Sequence, residues 1–264
     1  MKIAYFGFDL FYDCLTQMLI DNGHEIMKIF TCDVDGDYER NVRTYAAAKK
    51  YGIEITSCRP NADMLYELLR QGCQLTVSAG YYFKIPVVRS LMQVNVHPSL
   101  LPVGRGPWPQ PVAILSGLDT FGVTLHKLSS ALDSGDILIQ DEFAVEKDEN
   151  LETLTRKTQL SAPVLLRRFL ENPDFFWKNS VPQLSGEYWL EPSEDEMTFD
   201  VSDSFDRIDK ITRAFYGYVC YMKKDGKITA VKAAKCLKNK QTEDLCPLMS
   251  IDIDGGKLIV LNLA

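Results

Sequence analysis

Three side chains stand where strands and turns could bring them together: Asn95 and His97 in "QVNVHPS", and Asp133 in "ALDSGD". Alternate residues of an extended strand share a face, so Asn95 and His97 point one way while Val94 and Val96 point the other. Pro98 has no N–H to give a ladder, which ends the strand and leaves both polar groups at its C-terminal edge. Open parallel sheets bind their ligands at that edge. An asparagine amide donates without changing charge and an imidazole exchanges a proton near neutral pH, so the pair suits a carbonyl whose oxygen becomes an anion. Asp133 could orient His97, hold it protonated or collect a proton; Asp136 in the same turn competes for that role. A histidine at a strand end is often just a hydrogen-bonded structural residue, and spacing alone leaves both readings open.

The surrounding pattern supplies such a sheet. "KIAYF", "EIMKIF", "IEIT", "LTVSA" and "QVNVH" read as strands, alternating with helical patterns over residues 10–22, 39–51 and 62–71. This alternation predicts an α/β fold, a doubly wound and mostly parallel sheet covered on both faces. A short helix over 112–116, strands "GVTLHKL" and "DILIQDEF", and a long amphipathic helix over 151–170 follow. That helix has Leu154, Leu160, Leu165, Leu166 and Phe169 as core positions, and Pro163 as a point where it kinks or splits. Beyond residue 186 the pattern changes to an acidic join "EPSEDE", a short helix "DRIDKITRAF", and strands with a hairpin turn at Gly255–Gly256. The expected division is a catalytic domain over 1–185 and a small β-rich domain over 186–264.

Composition narrows the function classes. With 264 residues, 46% of them hydrophobic, the chain can bury a sizeable core. No apolar run approaches a membrane span and the N-terminus lacks the zones of a signal peptide, so the expectation is a soluble cytoplasmic protein without a membrane partner. Seven scattered cysteines with no C-x-x-C pair predict buried free thiols, with neither a disulfide framework nor a metal site. A net charge of -7 argues against a surface built throughout for nucleic acid.

The longer stretch "VNVHPSLLPVGRGPWPQPVAILSG", followed by "FGVTLHKLSSALDSGDILIQ", resembles the signature of formyltransferases that use 10-formyltetrahydrofolate, with methionyl-tRNA, glycinamide-ribonucleotide and sugar-nucleotide enzymes among them. Their pattern is Asn-x-His, a "SLLP" loop, and an Asp in "LDxG" about 36 residues beyond the His; here His97 and Asp133 are 36 apart. The resemblance covers roughly residues 1–175 and implies a Rossmann-like formyltransferase fold with Asn95, His97 and Asp133 as the catalytic group. In that chemistry an amine attacks the formyl carbon, Asn95 and a protonated His97 stabilise the oxyanion, and His97 with Asp133 relays a proton to the departing folate nitrogen.

The resemblance also implies a pterin site along "AGYYFKIP" and "SSALD", chiefly Phe83, Ile85, Ser130 and Leu132, held mostly by backbone groups. His126 and Thr124 share a strand face and are candidates for the same cleft, with ordinary packing equally admissible for His126. Phe8, Asp9 and Tyr12 at the end of the first strand, and Arg105 in "VGRG", are the acceptor-side candidates; for Arg105 a solvated surface role is equally admissible, and Trp108 reads as packing. The C-terminal region resembles, in shortened form, the small β-barrel of methionyl-tRNA formyltransferases and of some sugar-nucleotide enzymes, and admits a homodimer. Seven lysines between Lys223 and Lys240 could face RNA but fit solvent-side strand positions better. The segment "TCDVDGDYERNVRTY" carries Asp33, Asp35, Asp37 and Glu39 where the tRNA enzymes usually carry a long basic insertion. The expected acceptor is therefore a small nucleotide-linked amino sugar, with tRNA less favoured and a folate hydrolase or folate-binding module as the alternative from another class.

Overall fold

The computed structural model of the chain describes residues 1–20, 23–34, 40–238 and 247–264. Its larger sheet contains β1 (Lys2–Gly7), β2 (Glu25–Phe30), β3 (Glu54–Thr56), β4 (Leu75–Ala79), β5 (Met92–His97), β6 (Thr120–Lys127) and β7 (Ile137–Ala144), in the order β3-β2-β1-β4-β5-β6-β7. The pairs among β1 to β5 are parallel, and β6 runs antiparallel to β5. Strand order reverses between β1 and β4, as the doubly wound expectation requires.

Helices cover both faces because β1 is apolar on both. Ile3 and Tyr5 join one core cluster with Cys14, Leu15 and Met18 of α1 (Tyr12–Ile20) and Ala47 and Ala48 of α2 (Val42–Tyr51). Ala4 and Phe6 join the other with Leu65 and Leu68 of α3 (Ala62–Arg70), where the Phe6 and Phe30 rings stack at 4.5 Å. The residues group into two compact units, the first being Met1–Pro107, Gly122–Phe143 and Lys157–Tyr188. The second combines Trp108–Phe121, Ala144–Arg156 and Trp189–Ala264.

In the second unit, α4 (Pro109–Ser116) packs on α7 (Phe205–Ala214). Its five-stranded sheet has the order β11-β12-β10-β9-β8, from β8 (Thr198–Asp200), β9 (Cys220–Lys224), β10 (Lys227–Lys238), β11 (Met249–Ile253) and β12 (Gly256–Leu263). The turn before β10 is Asp225–Gly226, with φ of 49° and 73°, the mirror-image turn that suits the twist of a hairpin.

Several expectations are corrected. α5 (Leu151–Glu171) runs unbroken through Pro163, because Ala162, Leu165, Leu166 and Phe169 fix the turns around it in the core. Leu160 is exposed; at 3.6 residues per turn it lies opposite the buried stripe. α4 begins at Pro109, since a proline at the first helical turn lacks only a hydrogen that would go unused. The hairpin turn sits one residue earlier than expected, at Asp254–Gly255, while Gly256 enters the strand, where a Cβ would meet the Leu237 carbonyl at 2.1 Å. Two short elements were not singled out in the sequence reading: α6 (Pro173–Lys178), and β8, which begins just past the acidic join. Among the described residues five cysteines are buried and Cys58 is exposed, while Cys246 lies outside them. The lysines Lys223, Lys224, Lys227, Lys235 and Lys238 are exposed, and Lys240 lies outside the described residues, as do Asp35, Asp37 and Glu39. No helix among the described residues is long and apolar enough to cross a membrane.

Candidate active site

β5 and β6 bring four polar residues onto one face. Their antiparallel register sets Asn95 opposite His126 and His97 opposite Thr124, while Val94, Val96, Val123 and Leu125 point into the core on the other face. The loop from β6 to β7 then returns Asp133 to this group, with a side-chain oxygen 3.6 Å from both His97 Nδ1 and His126 Nε2. Asp133 has φ 48°, a left-handed conformation that aspartate and asparagine tolerate better than most residues. Asp136, the competing carboxylate, turns away to Lys127 Nζ at 3.1 Å and Ser180 Oγ at 3.0 Å.

Hydrogen bonding fixes which ring nitrogens carry protons. His97 Nε2 donates to the Gly104 carbonyl at 2.8 Å, leaving Nδ1 as the atom that faces Asp133. His126 Nδ1 donates to the Lys127 carbonyl at 2.8 Å, and its Nε2 accepts from the Asn95 amide at 3.1 Å. The same amide nitrogen donates to Asp133 Oδ1 at 3.5 Å, and the backbone N–H of Gly106 donates to Asp133 Oδ2 at 3.1 Å.

Burial sets the charge states. His97 is 4% exposed, and its removal from water holds its pKa below the ordinary histidine value although Asp133 and the Gly104 carbonyl pull it up. The resting imidazole is therefore neutral at neutral pH, whereas the sequence reading has it protonated when the oxyanion forms. Burial pushes the Asp133 carboxyl upward, but His97, His126 and the Gly106 N–H together outweigh that and hold it below the usual carboxylate range. The site thus pairs an ionised carboxylate with a basic nitrogen that can receive a proton and share its charge.

The loops on either side of β5 are tied down by Thr124, which the sequence reading placed toward the cleft, and by Gln93 and Gln140, which it passed over. Thr124 Oγ1 donates to the Ser99 carbonyl at 2.6 Å and accepts from the Leu101 N–H and from Gln140, so it anchors the "SLLP" loop and its hydroxyl is fully used. Gln93, on the same face of β5 as Asn95, accepts from the Val88 N–H and donates to the Pro86 carbonyl, fixing the loop that carries Phe83 and Ile85. Strand alternation makes Gln93 legible; Gln140 has no comparable signal.

The remaining candidates are dispersed. Phe83 lies beneath the Arg59 guanidinium at 4.1 Å and edge-on to Tyr81, while the Ile85 side chain is buried in the core, leaving only its backbone for a ligand. Ser130 and Leu132 are exposed on the Asp133 loop. Phe8 is buried and packs edge-on to Tyr82, and Tyr12 sits under the Arg43 guanidinium at 4.2 Å. The Arg105 guanidinium donates to Gln183 and to the Ser185 carbonyl.

The Asp9 carboxylate accepts from the backbone N–H groups of Arg43 and Thr44 and from the Thr44 hydroxyl, at 2.8 to 2.9 Å. It caps α2 from a distance, because the Asn41 side chain is directed instead at Thr31 and Cys32. Asp9→Ala is expected to lower stability by about 1 to 2 kcal/mol, seen as a lower denaturant midpoint at unchanged slope. An unchanged midpoint would assign no capping role to this contact.

The sequence profile of the formyl transferase family matches residues 2–170. A methionyl-tRNA formyltransferase of Ehrlichia canis (strain Jake) is 27% identical over 96% of this chain and 86% of its own length. Among solved structures, HypX from Aquifex aeolicus in complex with tetrahydrofolic acid matches with a TM-score of 0.72 at 19% identity, over 98% of this chain and 43% of HypX. The N-formyltransferase from Helicobacter canadensis, in complex with folinic acid and dTDP-3-aminofucose, matches with a TM-score of 0.69 at 17% identity over 99% of both chains. At those identities the two structures establish a shared fold.

Proposed function

The chain belongs to the formyl transferase family, whose members work with a formyltetrahydrofolate donor, and on that premise we propose that it formylates the primary amine of a nucleotide-linked amino sugar. The observation that carries the acceptor class is charge. The chain has a net charge of -7, and the segment after β2 holds four acids, Asp33, Asp35, Asp37 and Glu39. β2 and β5 run the same way in one sheet, so Asp33 follows a strand end on the same edge as His97. A polyanion the size of tRNA is repelled by such a run of acids, whereas a small phosphorylated substrate feels it much less. The full-length match in both directions to the Helicobacter canadensis enzyme is consistent with this reading. The second reading is methionyl-tRNA formylation, favoured by the Ehrlichia canis relative across 96% of this chain.

In the proposed reaction the amine lone pair attacks the formyl carbon and the carbonyl electrons move to oxygen. Asn95 turns the hydrogen of its longer contact, 3.5 Å to Asp133, toward that oxyanion. The proton leaving the amine passes to neutral His97, directly or through a water, and the imidazolium is held by ionised Asp133. The same proton then goes to N10 of the folate as the carbon–nitrogen bond breaks. Phe83, Ile85, Ser130 and Leu132 hold the donor in this proposal. Tyr12 and Arg105 face the acceptor, with Phe8 and Asp9 as framework behind them.

Incubation with 10-formyltetrahydrofolate and either a panel of dTDP- and UDP-linked amino sugars or charged initiator tRNA separates the readings. Mass spectrometry is expected to find a formyl group on an amino sugar. Formylation of the tRNA alone would sink the sugar proposal, and release of formate without any formylated amine would favour a hydrolase.

A further inference from the structure

We propose that Gln183 is a positioning residue for formyl transfer, locking together the two loops that hold His97 and Asp133; this inference rests on the role given to those residues above. The loop after β5 supplies the Gly104 carbonyl that binds His97 and the Gly106 N–H that binds Asp133. The loop after β6 supplies Asp133 itself. Neither loop is held by regular ladders at these points, and Asp133 occupies the left-handed region.

Gln183 joins them through a single amide. Its Oε1 accepts from Arg105 Nε at 3.0 Å and Nη2 at 2.8 Å, which fixes the first loop between Gly104 and Gly106. Its Nε2 donates to the backbone carbonyls of Asp133 at 3.1 Å and Gly135 at 2.6 Å, which fixes the second. All four hydrogen bonds open to a carboxamide are made. Only an amide can serve here, because one end must accept from a guanidinium while the other donates to two carbonyls.

The segment around Gln183 is placed to do this. Val181 exchanges both backbone hydrogen bonds with Ile137 at 2.8 Å. At the far end, Arg105 N–H donates to the Glu187 carbonyl and Glu187 N–H to the Pro102 carbonyl, each at 3.0 Å. Gly186 lets this strap lie against Arg105, since a Cβ there would meet the guanidinium carbon at 2.4 Å. Between the two anchors Gln183 turns inward, while Leu184 beside it is 96% exposed.

The variants Gln183→Ala, Gln183→Glu and Leu184→Ala, with His97→Ala as reference, test the assignment. Glutamate keeps the volume and the acceptor for Arg105 but turns an acceptor toward the Asp133 and Gly135 carbonyls. Displacing reacting groups by about 1 Å commonly costs about a hundredfold, so both Gln183 variants should lower kcat ten- to hundredfold while KM for 10-formyltetrahydrofolate stays within about threefold. The acceptor probes are dTDP-4-amino-4,6-dideoxyglucose and methionyl initiator tRNA, whichever the wild type formylates. A second readout needs no acceptor: the NMR titration of His97, resolved among three histidines. Once Asp133 moves away from Nδ1, burial acts on His97 with less opposition, and its midpoint should fall relative to wild type, with Leu184→Ala unchanged. His126 and the Gly104 carbonyl also face this ring system but are untouched by the substitution. Wild-type kcat and an unmoved His97 midpoint in Gln183→Ala overturn the inference, as does a loss that appears only as raised KM or in proportion to a lowered melting midpoint. If His97→Ala itself keeps wild-type turnover, the reading of the site has failed; if it is inactive while Gln183→Ala is normal, only the strap inference has.

Discussion

His97→Ala is expected to reduce formyl transfer by a factor of about a thousand or more in single-turnover assays with 10-formyltetrahydrofolate. Removing a positioned acid–base group alone costs about a hundred- to ten-thousandfold. The effect belongs near the upper end here, because the substitution also leaves the Asp133 carboxylate with no cation to stabilise when the amine loses its proton. The Gly104 carbonyl loses its donor as well, which lowers stability by about 1 to 3 kcal/mol. In a chain of this size that is a shift of several degrees in a melt that stays cooperative. Circular dichroism therefore separates loss of chemistry from loss of fold. Turnover within tenfold of wild type, at an unchanged fold, would place the proton-accepting group elsewhere and overturn the proposed mechanism.

The site is divided sharply into what local sequence carries and what only folding creates. Strand period and Pro98 put Asn95 and His97 on one face at one edge, and β5 obeys both. Asp133 could not be chosen over Asp136 from the sequence by geometry, since both lie in one turn. The choice is made by partners 9 and 44 residues away, Lys127 and Ser180, which take Asp136. The charge of His97 was hidden for a similar reason: residue type gives a group that titrates near neutrality, and burial in the folded chain moves it down.

Hydrophobic pattern made most of the larger sheet legible, because β1, β4 and β5 are buried and their apolar periods are unbroken. It failed where a few residues act through long-range contacts. β8 has three residues and exists by pairing with β9, more than twenty positions onward. Asp9 reads as an acid at a strand end beside an acceptor entrance, yet its carboxylate meets the start of α2, 34 and 35 residues away. Gln183 lies in no helix or strand and offers no periodic signal at all; its importance follows only from loops that meet in space. The turn at Asp225–Gly226, where both residues have positive φ, was not singled out in the sequence, and the one turn that was, at Gly255–Gly256, sits one residue earlier.

Asp133→Asn gives the most discriminating test of how the charges cooperate. Asparagine tolerates the left-handed backbone at φ 48°, and its amide oxygen can still accept from the Gly106 N–H, so the loop should keep its course while the negative charge is lost. Alanine at the same place would add backbone strain to the loss of charge. Without the carboxylate nothing anionic stabilises the His97 imidazolium formed during transfer, and kcat should fall by about a hundredfold or more. The pH profile carries the sign. Burial lowers the His97 pKa and Asp133 opposes that shift, so removing Asp133 must lower the pKa further. If neutral His97 is the base, kcat/KM of the wild type falls as pH drops through the His97 pKa, which lies below the ordinary 6.5. In Asp133→Asn that acid limb should move to still lower pH while the plateau above it drops. A limb that stays in place would detach His97 from Asp133, and one that disappears would show that the carboxylate, rather than the imidazole, sets the acid side of the profile.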